Sequence, residues 1–139
     1  MTDLEIAKVA LAGHTICLCK DGKTISDDSK GISPMIGFIS RGVDLNGFSV
    51  ADLIVGKAAA MLFIKAGITA VHGNVMSVGG KDILEQYKIP YSYDTLADSI
   101  INRQGTDICP MEKTVAKIFD IDEAYEAICA KLEQLRSNK

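Results

Sequence analysis

The longest apolar stretch of the chain, "FSVADLIVGKAAAMLFIKAG" at residues 48–67, limits the possible folds more than any other segment. Its nearly apolar run "ADLIVGKAAAMLFIKAG" holds Asp52, Lys57 and Lys65 and is too short and too charged to span a bilayer, so it belongs inside the protein. It is apolar nearly all round, which predicts one long helix covered on more than one side. Ser49 with Asp52 three residues on reads as a weak capping box at its start, and Gly67 as the residue that stops it. Within it, "VGKAAA" invites a test as a phosphate loop. That motif requires a glycine where Ala51 stands and a Ser or Thr where Ala58 stands, so the chain does not carry it. Gly56 and Ala58–Ala60 instead suit close backbone packing. Lys57 is the odd charge, directed either to solvent or toward an anion in a pocket.

The flanking segments alternate. "DLEIAKVALAG" has helical spacing with Gly13 as its stop, and "HTICLCKDGKTIS" reads as two strands around an Asp21-Gly22 turn. "SPMIGFIS" starts a short helix at Ser33 as N-cap with Pro34 at the first helical position. After residue 67 come a buried strand in "ITAVHGNV", an amphipathic helix in "SVGGKDILEQYK" and a strand in "IPYSYD". Two last helices are expected, from Pro110 to about Ile118 and from Asp122 to about Leu135. Strands alternating with helices imply parallel pairing through right-handed crossovers, here entered from an antiparallel hairpin. The expected fold class is α/β: a mixed sheet with an N-terminal β-hairpin and helices on both faces, as one domain over residues 1–139.

Composition narrows function by exclusion. A net charge of −3 and a pI near 5.3 argue against a nucleic-acid polymer as partner. The opening "MTDLEIAKVALAGH" has early acids and too short an apolar run for a signal peptide, which predicts a cytoplasmic protein with no membrane partner. The spacing of Cys17, Cys19, Cys109 and Cys129 suggests no disulfide framework and fits a reducing compartment.

In open α/β sheets, ligands bind beyond the carboxyl ends of strands, where helix N-termini present positive charge. "VHGNVMSVGGK" and "INRQGTDICP" occupy such places. His72, with Asn74 and Ser77 after it, is a candidate proton carrier or a strand-end histidine. The span 102–112 carries Asn102, Arg103, Thr106, Asp107, Cys109 and Glu112. Asp107 or Cys109 can cap a helix opening at Pro110, with Glu112 favourable in its first turn. Arg103 and Thr106 suit an anionic group such as phosphate.

"VGKAAA" followed by "KAG", together with "INRQGTDICPMEKTV", resembles a small prokaryotic family known only as a domain of unknown function with a cytidine-deaminase-like fold. The likeness runs from "DLEIAKVAL" and the "KDGKTI" hairpin to "DEAYEAI". It implies a three-layer α/β/α sandwich. Zinc deaminases carry H-x-E on one helix and P-C-x-x-C on the next. Here "VGKAA" puts Lys57 about where the acid would stand, and the next helix begins "MSVGG" without cysteine. The expectation is therefore a zinc-free, cofactor-free member of that fold binding a small anionic metabolite, of the nucleotide or nucleobase class. Its ligand-binding candidates are Lys57, His72, Asn74, Ser77, Asn102, Arg103, Thr106 and Cys109. Two alternatives stand beside it: a metal-independent enzyme with Cys109 as nucleophile and His72 as a catalytic candidate, or a homo-oligomeric interaction module.

Overall fold

A computed structural model describes residues 1–102 and 104–137. It is a mixed α/β domain with a five-stranded mixed sheet and six helices among those residues. Helix α1 (Asp3–Ala10) precedes a hairpin of β1 (Ile16–Lys20) and β2 (Lys23–Asp27), followed by α2 (Ser33–Ser40). Then come β3 (Ser49–Val55), α3 (Lys57–Ala66), β4 (Ala70–Ser77), α4 (Val78–Gln86) and β5 (Tyr91–Ala97), with α5 (Pro110–Val115) and α6 (Ile121–Ser137) closing the chain.

The hairpin forms where the Asp-Gly pair demands it. Asp21 and Gly22 both have positive φ, 52° and 79°, as a tight two-residue turn requires. Asp3 ties α1 to this turn by accepting from the backbone N–H groups of Asp21 and Gly22 at 3.0 and 3.1 Å. Those bonds hold the Asp3 carboxyl below the usual range. At the start of α1, Thr2 and Glu5 form a reciprocal capping box.

The single long helix expected over 48–67 is two elements. Ser49–Val55 is a strand and the helix starts only at Lys57, so Ser49 and Asp52 cap nothing. The reason is tertiary: Val50, Ile54 and Val55 are β-branched, and the strand is paired on both sides. A run apolar on every side suits a central strand as well as a buried helix. The helix does end at Gly67, as its sequence predicts, with that residue left-handed at φ 82°. At α2 the cap position is Ile32, without a side-chain bond, and Ser33 and Pro34 lie inside the helix.

Strand order is β2-β1-β3-β4-β5. β1 is antiparallel to both β2 and β3, whereas β3, β4 and β5 run parallel. The register aligns Cys17, Ala51, His72 and Ser92 across four strands. Cys17 and Ala51 pack with Ala7 of α1 and with Leu11, the cap residue that ends it, so this row faces α1. The neighbouring row of Leu18, Val50 and Val71 faces the larger core, which includes Phe38, Phe63, Leu84, Val115 and Ile128 from α2 to α6. The two faces are unequal: one short helix covers the first, five helices the second.

Gly67 and Gly31 separate two costs that a glycine can relieve. Both have positive φ, but a Cβ at Gly31 meets nothing within 4 Å, whereas one at Gly67 lies 2.4 Å from Asn46 Oδ1. Gly31→Ala should cost about 1–2 kcal/mol of backbone strain. Gly67→Ala should cost clearly more, because Asn46 must also move. Urea unfolding of the two variants side by side checks this, and equal losses would show that the Asn46 contact relaxes freely.

Candidate functional site

The carboxyl ends of β3 and β4 feed directly into α3 and α4, and α5 comes back across them. Gly56 is the cap residue of α3 and has no side chain to receive the first free N–H groups. Glu112 of α5 supplies the acceptors instead. Its Oε1 accepts from Lys57 N at 2.7 Å and its Oε2 from Ala58 N at 2.8 Å. A negative charge at a helix N-terminus is favoured, and these are charge-assisted bonds. The carboxylate sits so close that a Cβ on Gly56 would fall 2.3 Å from Oε1. Gly56 is therefore obligatory while Glu112 stays in place. The Lys57 ammonium turns back over α5: Nζ donates to Ala116 O at 3.2 Å and lies 4.1 Å from the centre of the Phe119 ring. Burial lowers the Lys57 pKa, and Glu112 opposes that effect.

On one side of Glu112 lies a cavity of about 410 Å³. Ile32, Leu53, Ile54, Ile101 and Met111 give it apolar walls; Asp52, Lys30 and Asn102 are among its polar lining groups. Asp52 is buried, and its Oδ1 accepts from Ile54 N at 3.3 Å. Among the described residues no side chain pairs with it. Burial pushes its pKa up to about 7. Asp52 reaches this position by ordinary strand alternation: it lies two residues after Val50 and in register with Ile16, and both of those side chains enter the larger core. The sequence pattern hides Asp52, because its segment fits a buried helix as well as a strand. The usable signal was an acid within a run of β-branched residues, where an unpaired charge has no cheap place to go.

On the other side lies a cleft of about 360 Å³, bounded by Lys57, Ser77, Gly79, Asp82, Asp98 and Phe119 among others. Ser77 caps α4, its Oγ accepting from Gly80 N at 3.0 Å. Glu112 lines both spaces.

The residues expected to form one pocket are thus distributed. Lys57 and Ser77 share the smaller cleft, and Asn102 lines the larger cavity. His72 and Asn74 belong to neither lining. His72 is buried on the α1 face, with Nδ1 2.7 Å from Ser92 Oγ and Nε2 3.7 Å from Asp94. Burial and then Lys8 lower its pKa, against Asp94 and Asn74. Thr106 closes a small exposed turn with Asn102: Thr106 N donates to Asn102 Oδ1 at 3.0 Å, and Asn102 Nδ2 to Thr106 Oγ1 at 3.2 Å. Gly105 at φ 72° and the bridge between Ile101 and Ile108 complete that turn. Asp107 accepts from Ile108 N and pairs with Lys113. Cys109 precedes α5 without a side-chain cap bond and packs, half-buried, against the larger core. It therefore lies across the sheet from His72, and the two do not form a nucleophile–base pair. Arg103 lies outside the described residues.

The buried acid fixes a pH dependence of stability. In the unfolded chain Asp52 ionises near its ordinary pKa of about 3.9. Below that value both states hold the proton and the site costs nothing. As pH rises toward 7 the unfolded chain has lost the proton and the folded chain retains it, so stability falls, then levels off above the folded pKa of about 7. Three pH units at about 1.4 kcal/mol each give a loss of about 4 kcal/mol. Asp52→Asn should remove this loss, matching the wild type near pH 4 and exceeding it at pH 8. Parallel stability curves for the two proteins from pH 4 to 8 would show that the buried carboxyl titrates normally.

No curated protein matches the chain. A crystal structure of a DUF1893 family protein (TM1506) from Thermotoga maritima is similar to it, with a TM-score of 0.83, 26% identity, and coverage of 94% of this chain and 91% of that one. The family described as TM1506, domain of unknown function (DUF1893), matches residues 6–132. With nearly its whole length inside that match, the chain belongs to the DUF1893 family.

Proposed function

We propose that the protein is a zinc-free member of the cytidine-deaminase-like, three-layer α/β/α fold, and that it binds a small metabolite of the nucleobase or nucleotide class in the Asp52 cavity. The single observation that carries this reading is a buried carboxyl group facing an apolar cavity at the carboxyl end of a central strand. Such a cavity, with convergent polar groups and a perturbed pKa, is the usual form of a ligand site. The aliphatic side chains of Ile32, Leu53, Ile54 and Met111 suit the faces of a flat ring. A neutral Asp52 carboxyl both donates and accepts, which matches the mixed edge of a nucleobase. The antiparallel hairpin leading into parallel β3-α3-β4-α4-β5, with helices on both faces, supports the fold assignment.

The donor set argues against zinc chemistry of the deaminase kind. At the start of α3 the chain offers Gly56 and Lys57, and at the start of α4 Ser77 to Gly80, none of them a thiolate or imidazole. Glu112 near them is already committed to two backbone N–H groups.

A calorimetric panel of nucleobases, nucleosides and their monophosphates at pH 6 tests the proposal. At least one member should bind, and Asp52→Ala should weaken it by about tenfold or more, because a buried polar partner is lost. No binding across the panel, or equal binding by wild type and Asp52→Ala, would sink the reading.

A further inference from the structure

Most polar groups in the lining of the Asp52 cavity are already spent within the protein. Glu112 accepts from the N–H groups of Lys57 and Ala58. The Asn102 amide uses both its oxygen and its nitrogen on Thr106. Thr15 Oγ1 lies 3.0 Å from Asp27 O and 2.7 Å from Ser29 O. Two titratable side chains are left over. One is Asp52, 9% exposed and paired with no other side chain among the described residues. The other is Lys30, the one cation in the lining. We infer that Lys30 is a ligand-binding residue, and that the cavity selects a flat ring carrying an acidic substituent, a phosphate monoester or a carboxylate, which the Lys30 ammonium receives while the ring lies beside Asp52. This inference deepens the reading of the Asp52 cavity as a ring-binding site and rests on it.

The acids that would neutralise Lys30 locally are engaged elsewhere. Asp28 Oδ1 stands 2.6 Å from His14 Nδ1, and Asp27 Oδ1 accepts from Ser29 N at 2.7 Å. Among the described residues, no carboxylate forms an ion pair with Lys30. The backbone that presents the lysine is fixed on both sides. Ser29 is tied to Thr15, itself part of the cavity wall, and Gly31 turns at φ 67° into α2, where Ile32 O accepts from Ile36 N. Lys30 therefore stems from the wall, and its flexible four-carbon chain lets the ammonium follow an anion at the cavity mouth.

The apolar surface sets the other half of the selection. Leu53, Ile54 and Ile101 line this cavity and remain exposed, so a ring laid against them removes apolar area from water. Polar recognition then falls to the two ends, Asp52 inside and Lys30 on the solvent side. Asp52 and Glu112 are the acids that oppose an anion here. Burial keeps Asp52 largely protonated below pH 7, and the positive start of α3 compensates Glu112. An anion without a ring meets a single exposed lysine, which is worth little in water. Both parts of the ligand are needed.

Calorimetry at pH 6 tests this with the common ribonucleosides against their 5′-monophosphates, and with uracil against its 6-carboxylate. In at least one such pair the acid-bearing member should bind wild type about threefold to tenfold more tightly than the neutral one. The pair that shows the preference tells phosphate from carboxylate. Lys30→Met should bring the ratio to about one, whereas Lys30→Arg should keep it. Salt of about 1 M, with a Debye length of about 3 Å, should shrink it. Lys30 is exposed, so neither substitution disturbs the core. A ratio near one in every wild-type pair, or one that Lys30→Met leaves unchanged, would overturn the assignment. Neutral members that bind through Asp52 with no preference for the acid would reject Lys30 alone. A preference lost in Lys30→Met but untouched by Asp52→Ala would reject the Asp52 reading alone. Failure of every compound to bind would reject both.

Discussion

The contact between the Glu112 carboxylate and the first two N–H groups of α3 is the constraint on which the rest of the site depends. It joins residues 55 positions apart in sequence and fixes α5 against the carboxyl end of the central strand. Because the carboxylate fills the space where a Cβ would stand, the residue ending the β3 turn has to be glycine. Because it satisfies the helix start, no capping side chain is needed at Gly56. The same clearance explains Gly80: a Cβ there would lie 3.0 Å from Val55 O, so α4 can pass close to the start of α3 only without one. Two glycines and one acid thus determine how two helices meet the sheet.

Asp52 stands in tension with that economy. A carboxyl kept out of water, supported by local backbone N–H alone, works against stability at neutral pH. Deleting its charge is expected to stabilise the fold, which is the behaviour of a residue retained for something other than packing. His72 contrasts with it. That side chain is also buried, but Ser92 Oγ and the Asp94 carboxylate stand at its two ring nitrogens and it lines neither cavity beside Glu112. One buried titratable group is satisfied within the sheet; the other faces open space.

Local chemistry was readable wherever a local rule decided the structure. Asp21-Gly22 announced its turn, Gly67 its helix end, and the alternation after residue 67 its parallel strands. The failure came at residues 49–55, where pairing with β1 and β4 overrides a pattern that a helix would satisfy equally well. That error carried into the site. With β3 unrecognised, Asp52 became a weak cap, and Glu112 was visible only as a first-turn charge of α5. Its actual partner at Lys57 N involves a long-range meeting that no spacing rule encodes. The dense polar span at 102–109 was legible as a turn, and its Asn102–Thr106 pair and Asp107 contacts use much of that polarity internally.

Asp52 also connects proton binding to ligand chemistry, and the sign depends on what the ligand offers. A folded pKa of about 7 means that near neutrality the group is divided between acid and carboxylate. A ligand presenting an acceptor to the acid proton binds the neutral form, raises that pKa and takes up a fraction of a proton. Its affinity declines as pH rises above about 7, by up to about tenfold per pH unit. A cationic ligand binds the carboxylate, releases a proton and shows the opposite slope. The neutral nucleobase edge proposed for this cavity belongs to the first case. Calorimetry at pH 7 in two buffers of different ionisation enthalpy reads the proton count directly. Net uptake that disappears in Asp52→Asn is the expected result. Net release with the wild type would mean that the cavity selects a cation, and that the carboxyl is buried to serve as its counter-ion.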